Sequence, residues 1–148
     1  MIRIIIVEDE QSCSESLKRI LKQNAPDAVV VAETDSVTKA IELIQGLRPD
    51  LIFLDIHLTD GLGFEVLTNT NYREFKVVFL TAHDNYAITA FRYNAIDYLL
   101  KPVDAVQVLE ALERVRHQPM VSSAFEERFR TLLTNNQSDR KKDSPAII

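Results

Sequence analysis

Residues 50–57 read DLIFLDIH, an apolar run that stops at Asp55 and continues into more apolar sequence rather than into a turn. Leu51–Leu54 is apolar on both faces, as strands are when helices cover both sides of a parallel sheet. Four other runs have strand length: Ile2–Val7, Ala28–Ala32, Lys76–Leu80 and Asp97–Leu100. Five strands are therefore predicted, and the third ends in a carboxylate that needs an explanation.

Amphipathic segments of helix length separate these strands. The signals for their ends are a capping box at Ser12 and Glu15, opening residues at Ser36 and Asp104, and stops at Gly46, Pro49 and Pro119. Alternating strands and helices predict an α/β fold. We expect a doubly wound, flavodoxin-like domain with a five-stranded parallel sheet in the order 2-1-3-4-5, which ends near His117.

Composition limits the size and the partners of this domain. The chain has 148 residues, 46% of them hydrophobic, which suits one sizeable core and a short appendage. A formal net charge of −5 disfavours contact with nucleic acid and anionic lipid. No apolar run approaches the roughly 20 residues of a membrane span, so we expect a cytoplasmic protein without a membrane partner. The single cysteine, Cys13, excludes an internal disulfide and a cysteine metal cluster.

Polar side chains follow four of the five strands, at the ends that parallel strands bring to one edge. They are Glu8, Asp9 and Glu10 after the first strand, Asp55 after the third, Thr81 after the fourth and Lys101 after the fifth. Because neighbouring strands lie about 4.8 Å apart, Asp9 and Thr81 should flank Asp55, and Lys101 should reach across about two spacings. Clustered carboxylates repel one another, and a hard divalent cation such as Mg²⁺ relieves that repulsion.

Each of these residues also has an ordinary explanation. An aspartate at a strand end is often a loop or N-cap residue. Thr81 can simply end a strand, and Lys101 can be a surface charge. The functional interpretation rests on the combination, because complementary groups follow four strands at the same edge of the sheet.

Four motifs in this order and spacing resemble the response-regulator receiver family: VEDE at 7–10, LIFLDIHL at 51–58, VVFLTAH at 77–83 and DYLLKP at 97–102. The resemblance covers residues 1–118. It implies that the domain is a phosphoacceptor signalling domain rather than an ordinary enzyme, and that it catalyses its own phosphorylation and dephosphorylation. Asp55 would accept a phosphoryl group from the phosphohistidine of a sensor histidine kinase.

The same resemblance implies a role for each matching residue. Glu8 and Asp9 would hold Mg²⁺ together with Asp55, and His57 would add its main-chain carbonyl. Lys101 would pair with the phosphoryl oxygens, and its bond to Pro102 would be cis.

A switch pair is implied as well. Thr81 would move toward the phosphoryl group, and Tyr98 would turn into the vacated space. This changes the surface of the fourth helix, fifth strand and fifth helix, where we expect homodimerisation on phosphorylation. His57 and His83 are expected as solvated loop residues, although by resemblance the side chains at these positions tune hydrolysis of the acyl phosphate.

A closer resemblance lies in TAHDNYAITAFRYNAIDYLLKPVD, residues 81–104, which is similar to receivers joined to a LytTR-type DNA-binding domain. We expect contact with DNA only through such a C-terminal domain, which this chain lacks. Residues 119–148 are expected to be a linker with an amphipathic helix and the start of that output domain. The apolar stripe of the helix consists of Val121, Phe125, Phe129 and Leu132.

Three alternative functions share features with this pattern. A haloacid-dehalogenase-type phosphatase needs a second aspartate where this chain has His57. A flavodoxin-like FMN carrier needs a phosphate loop after the first strand, and the acidic EDEQS segment at 8–12 would repel phosphate. A stand-alone receiver that acts only by protein contact is the main alternative to a transcription regulator.

Overall fold

The computed structural model describes residues 1–93 and 95–117. The five main strands are β1 Ile2–Val7, β2 Ala28–Thr34, β3 Leu51–Asp55, β4 Lys76–Thr81 and β5 Asp97–Leu100. The helices are α1 Gln11–Asn24, α2 Val37–Leu47, α3 Phe64–Asn69, α4 Ala87–Arg92 and α5 Ala105–His117. A short antiparallel hairpin, His57–Leu58 with Gly61–Leu62, follows β3, and a 3₁₀ turn, Asp84–Tyr86, precedes α4.

The five strands form one parallel sheet in the order β2-β1-β3-β4-β5, which confirms the predicted order. The chain leaves β1 toward β2 and later returns to place β3 on the other side of β1. In such sheets the crevice at the carboxyl ends, beside this reversal, is where ligands bind. The register pairs Asp55 of β3 with Leu80 of β4, so the acidic end of β3 lies one residue before Thr81.

Side chains that alternate along the strands build a core on each face of the sheet. Ile4 and Ile6 pack with residues of α1 and α5, whereas Ile5 and Val7 pack with residues of α2, α3 and α4. All four are fully buried. Burial of each such side chain stabilises the fold by about 1.5–3 kcal/mol. This two-sided burial explains why the strands read as continuous apolar runs.

The ends of α1 and α2 correct two predictions. Helix α1 begins at Gln11, and its N-cap is Glu10, whose carbonyl accepts the Ser14 N–H at 3.1 Å, so the capping box at Ser12 and Glu15 is wrong. Gly46 does not stop α2. That helix runs to Leu47, and Arg48 takes the left-handed cap conformation with φ 50°.

Other boundary predictions are confirmed. Ser36 is the N-cap of α2, and its hydroxyl accepts the Lys39 N–H at 3.1 Å. Asp104 precedes α5, and its carboxylate accepts the Gln107 N–H at 2.9 Å. Three strands extend beyond their predicted ends, to Thr34, Asp55 and Thr81. The extension places two of the predicted site residues on the sheet itself.

Helix α5 is attached to the sheet by two arginines in its last turn. Arg114 pairs with Asp97 of β5, whose side chain is 2% exposed. Arg116 pairs with Asp27 before β2 at 2.6 Å, and the Asp27 side chain is 44% exposed. Within the described ranges, no helix has the length and apolar character to cross a membrane. The predicted helix and linker at 119–148, like the stop at Pro119, lie outside the described residues.

Candidate functional site

The carboxyl edge of the sheet gathers the predicted site residues around one pocket. Asp55 ends β3 and is 3% exposed, and Glu8, directly after β1, is 6% exposed. The pocket has a volume of about 370 Å³ and is lined by Asp9, Glu10, Asp55, His57, Ala82, His83 and Lys101. Four separate strands and their loops therefore supply this site.

Lys101 reaches from β5 into the centre of the acidic cluster. Its ammonium nitrogen lies 2.8 Å from Glu8, 3.0 Å from Asp55 and 2.7 Å from Glu10. Burial alone would lower the pKa of Lys101, but hydrogen bonds to these three carboxylates raise it, so the amine stays charged. The Lys101-Pro102 bond is cis, as expected. One ammonium group thus faces more negative charge than it can neutralise.

The remaining oxygen atoms suit a divalent cation. Glu8, Asp9 and Asp55 each offer one oxygen, and these three atoms lie within 4.8 Å of one another. Glu8 Oε1 is buried and has no hydrogen-bond partner within the described part of the chain. A buried carboxylate oxygen without a partner is costly, and hard cations such as Mg²⁺ take oxygen ligands of this kind. The residues present therefore fit the predicted metal.

Burial sets the protonation behaviour of the cluster. It raises the pKa of Asp55 to about 6, and the neighbouring Glu8 carboxylate adds to the rise against the opposing effect of Lys101. Desolvation, together with the Asp55 carboxylate, also raises the pKa of Asp9. Burial and the Glu8 charge raise the pKa of Cys13 to about 12. The thiol stays protonated, as suits a small buried residue of α1.

Thr81 and Tyr98 are linked through the loop that follows β4. The Thr81 hydroxyl is fully buried and accepts the His83 N–H at 3.1 Å. Tyr98 is 5% exposed, and its hydroxyl donates to the His83 carbonyl at 2.6 Å. The same hydroxyl accepts the Tyr86 N–H at 3.2 Å. The structure therefore holds Tyr98 in the inward position.

Residues 4–113 match the sequence profile described as the response regulator receiver domain. The chain belongs to this family. Sensory transduction protein LytT of Enterococcus faecalis is 42% identical over 114 residues, which is 75% of this chain and 46% of that protein. Transcriptional regulatory protein BtsR of Salmonella typhi is 41% identical over 120 residues, 80% of this chain and 49% of that protein. The receiver spans about half the length of these relatives.

Solved structures show the same fold. The response regulatory domain of protein mrkE from Klebsiella pneumoniae superposes with a TM-score of 0.71 at 27% identity, covering 84% of this chain and 98% of that one. A receiver domain of a NarL-type regulator from Mycobacterium tuberculosis gives 0.70 at 25% identity, covering 79% and 98%. The five-stranded parallel fold is thus that of known receiver domains.

His57 and His83 lie at the rim of the pocket, and both are exposed, as predicted. The sequence did not indicate that they meet. Their rings contact edge to face at a centroid distance of 5.6 Å, and His57 Nε2 lies 3.0 Å from the Tyr86 hydroxyl. Tyr86 has no spacing relation to the acidic motifs, so only the folded loops bring it to the site.

Two further residues support the site from the loop that follows β3. Asp60, in the loop after β3, accepts the Val37 N–H at 2.6 Å and caps α2, and this hydrogen bond lowers the pKa of Asp60. A Cβ atom at Gly63 would clash with the Asp55 carbonyl oxygen, so only glycine permits this approach. Both residues shape the loop that carries the acidic end of β3.

Proposed function

We propose that Asp55 accepts a phosphoryl group from the phosphohistidine of a sensor histidine kinase. The observation that carries this proposal is the buried Asp55 carboxylate at the carboxyl edge of the sheet, which lies 3.0 Å from a Lys101 ammonium that also contacts Glu8. Membership in the receiver family supports it, because these domains are phosphoacceptors.

The transfer uses the ionised carboxylate as nucleophile. An Asp55 oxygen attacks phosphorus, the phosphorus–nitrogen bond breaks, and the electron pair remains on the imidazole nitrogen of the kinase. Because the pKa of Asp55 is about 6, the carboxylate is mostly ionised at neutral pH. Lys101 exchanges its bond to Asp55 for the phosphoryl oxygens and holds them in place. Hydrolysis later returns the free carboxylate.

Glu8, Asp9 and Asp55 would hold Mg²⁺ together with the main-chain carbonyl of His57. When bound, Mg²⁺ would supply positive charge that offsets the negative charge of the phosphoryl oxygens. The partnerless Glu8 Oε1 supports this assignment. The role of Glu8 and Asp9 is therefore to hold the metal ion beside the phosphoryl group, whereas Asp55 alone forms a covalent bond to phosphorus.

Phosphorylation would act through Thr81 and Tyr98 on the surface of α4, β5 and α5, and would promote homodimerisation there. The name of transcriptional regulatory protein BtsR supports a role in gene regulation. We place that role in a DNA-binding domain that would follow the receiver. Residues 1–118 would form the receiver, and residues 119–148 the linker to that domain. The protein would contact DNA only through that C-terminal DNA-binding domain.

Intact-mass measurement after incubation with a small acyl phosphate and Mg²⁺ tests the acceptor. We expect one added phosphoryl group in the wild type and none in Asp55→Asn. The matched control is Asp35→Asn, an exposed aspartate outside the pocket, which should still be modified. An adduct that persists in Asp55→Asn, or forms equally well in a chelator, contradicts the assignment.

A further inference from the structure

A hydrogen bond crosses the rim of the acceptor pocket and joins two loops. His57 belongs to the loop after β3, and Tyr86 ends the 3₁₀ turn after β4. The His57 Nε2 atom lies 3.0 Å from the Tyr86 hydroxyl, and the two rings meet edge to face at 5.2 Å. Neither the acceptor chemistry nor the Thr81 and Tyr98 pair requires this contact.

The position of Tyr86 is fixed by contacts other than the one to His57. Its ring is half-buried and packs on Phe64 at a centroid distance of 6.1 Å. Its main-chain N–H donates to the Tyr98 hydroxyl at 3.2 Å. Ring and backbone are thus fixed independently of His57. The hydroxyl is therefore presented to His57 in one orientation, at little cost in side-chain entropy.

His57 is tied to the acceptor at its other end. Its main-chain N–H donates to Asp55 Oδ1 at 3.2 Å. Its ring stands against the His83 ring, and both line the pocket that contains Asp55. Without the Tyr86 hydroxyl, an exposed imidazole on a loop would sample several rotamers. With it, the two histidine rings form one wall of the pocket mouth.

We propose that Tyr86 is a positioning residue that holds the His57 imidazole at this mouth and thereby slows hydrolysis of the Asp55 acyl phosphate. The inference rests on the proposed phosphoacceptor function. In hydrolysis, a water oxygen attacks phosphorus, the bond from phosphorus to the Asp55 oxygen breaks, and the carboxylate leaves with the electron pair. Inorganic phosphate is released, and the proton of the attacking water passes to phosphate or solvent. A fixed His57 ring narrows the approach of that water.

The decay of the isolated phosphoryl adduct tests this role. Protein phosphorylated with a small acyl phosphate is freed of the donor, and the adduct is followed by intact mass in Mg²⁺. Tyr86→Phe keeps the ring contacts and removes only the hydroxyl. An ordinary hydrogen bond corresponds to roughly a two- to tenfold change in a rate constant, so we expect decay to become faster by about that factor.

Two comparisons separate positioning from a general loss of structure. Tyr93→Phe is the matched control, because Tyr93 stacks on the same Phe64 ring at a centroid distance of 5.2 Å and the substitution likewise removes only a hydroxyl. This variant should decay like the wild type. His57→Ala should decay faster than the wild type, and Tyr86→Phe added to His57→Ala should change the rate no further.

The outcomes distinguish the two proposals. If the wild type forms no adduct at Asp55, the proposed function fails and the role of Tyr86 fails with it. If the adduct forms but Tyr86→Phe decays at or below the wild-type rate, only the role of Tyr86 is overturned. Equal acceleration by Tyr86→Phe with and without His57 also overturns it, because the effect would not pass through His57.

Discussion

At Asp55 two requirements conflict, since a nucleophile must be ionised and burial favours the neutral carboxyl group. The pKa of Asp55 rises from 3.8 to about 6 on folding, so the folded protein binds this proton more tightly than the unfolded chain does. Ionisation of Asp55 therefore costs stability. The cost is absent below pH 3.8, grows as pH rises to about 6, and stays constant above that value.

Asp55→Asn should consequently stabilise the metal-free receiver at pH 8. The pKa difference corresponds to about 3 kcal/mol, and because an amide replaces the lost carboxylate imperfectly we expect a gain of about 1–3 kcal/mol. Urea unfolding of the wild type and of Asp55→Asn, both in the presence of a chelator, measures this gain in the free energy of unfolding. The gain should shrink as pH falls toward 4, and exposed Asp35→Asn should show no such trend. A gain that is independent of pH would show that repulsion within the cluster is not its cause.

Single residues differ in how far the sequence alone predicts them. Asp55, Thr81 and Lys101 stand at the carboxyl ends of strands, so the strand pattern and the parallel edge are enough to predict that they come together. Glu10 was seen next to the cluster, but its bond to Lys101 was not predicted, and Tyr86 was missed. Their roles depend on how loops fold across the edge, and loops carry no periodic signal.

At the level of elements, α5 is joined to β5 by a buried ion pair. The Asp97 side chain is 2% exposed and its partner Arg114 is 17% exposed. Asp97 also accepts the N–H of Tyr98 at 2.8 Å, so the pair lies next to the proposed switch residue. Loss of one partner from such a pair leaves a buried charge without compensation.

Arg114→Ala should destabilise the receiver by up to about 3–5 kcal/mol, because Asp97 stays buried and loses its salt bridge to Arg114. The matched control is Arg116→Ala on the same helix, which frees the more exposed Asp27 carboxylate. Its effect should be clearly smaller. Denaturant unfolding of both variants measures the difference. Equal losses would mean that Arg114 contributes through packing of its side chain rather than through its charge.

Element boundaries show where sequence reasoning was weaker. The capping box at Ser12 and Glu15 follows a sound rule, yet the N-cap is Glu10 and α1 starts at Gln11, two residues earlier than a cap at Ser12 implies. The carboxylate of the N-cap residue Glu10 is bound to Lys101, a partner far away in sequence. Local capping rules cannot include that contact. At the C-terminal end of α2, Arg48 takes a backbone conformation that is more typical of glycine. Its guanidinium carbon lies 5.4 Å from the centroid of the Tyr72 ring.

For the whole molecule, two exposed apolar side chains lie on β5, an edge strand of the sheet, and on α5. Leu100 of β5 is 42% exposed and Val106 of α5 is 66% exposed. Single exposed apolar residues are common, but these two lie on the elements that the proposed switch would move. The opposite edge offers a comparison, because Val29 of β2 is 37% exposed.

Phosphorylation should shift the receiver from monomer toward dimer through the edge that carries Leu100 and Val106. Val106→Lys should weaken the phosphorylated dimer because a charge must then be buried. Val29→Lys should leave it unchanged. Sedimentation equilibrium of both phosphorylated variants and of the wild type measures the balance. The assignment is wrong if phosphorylation shifts nothing over a wide concentration range, or if both substitutions act alike.

The cap that Asp60 forms on α2 has a consequence for the direction of any movement at the pocket. Its carboxylate accepts hydrogen bonds from Ser36, Val37 and Thr38, which tether the loop after β3 firmly to α2. Toward β4 the side chains of that loop are tethered by the bond between His57 and Tyr86 and by ring contacts. The loop is thus tethered more strongly to α2 than to the segment that follows β4. We therefore expect a group that crowds Asp55 to displace this loop on its less strongly tethered side, so that the change would reach α4 rather than α2.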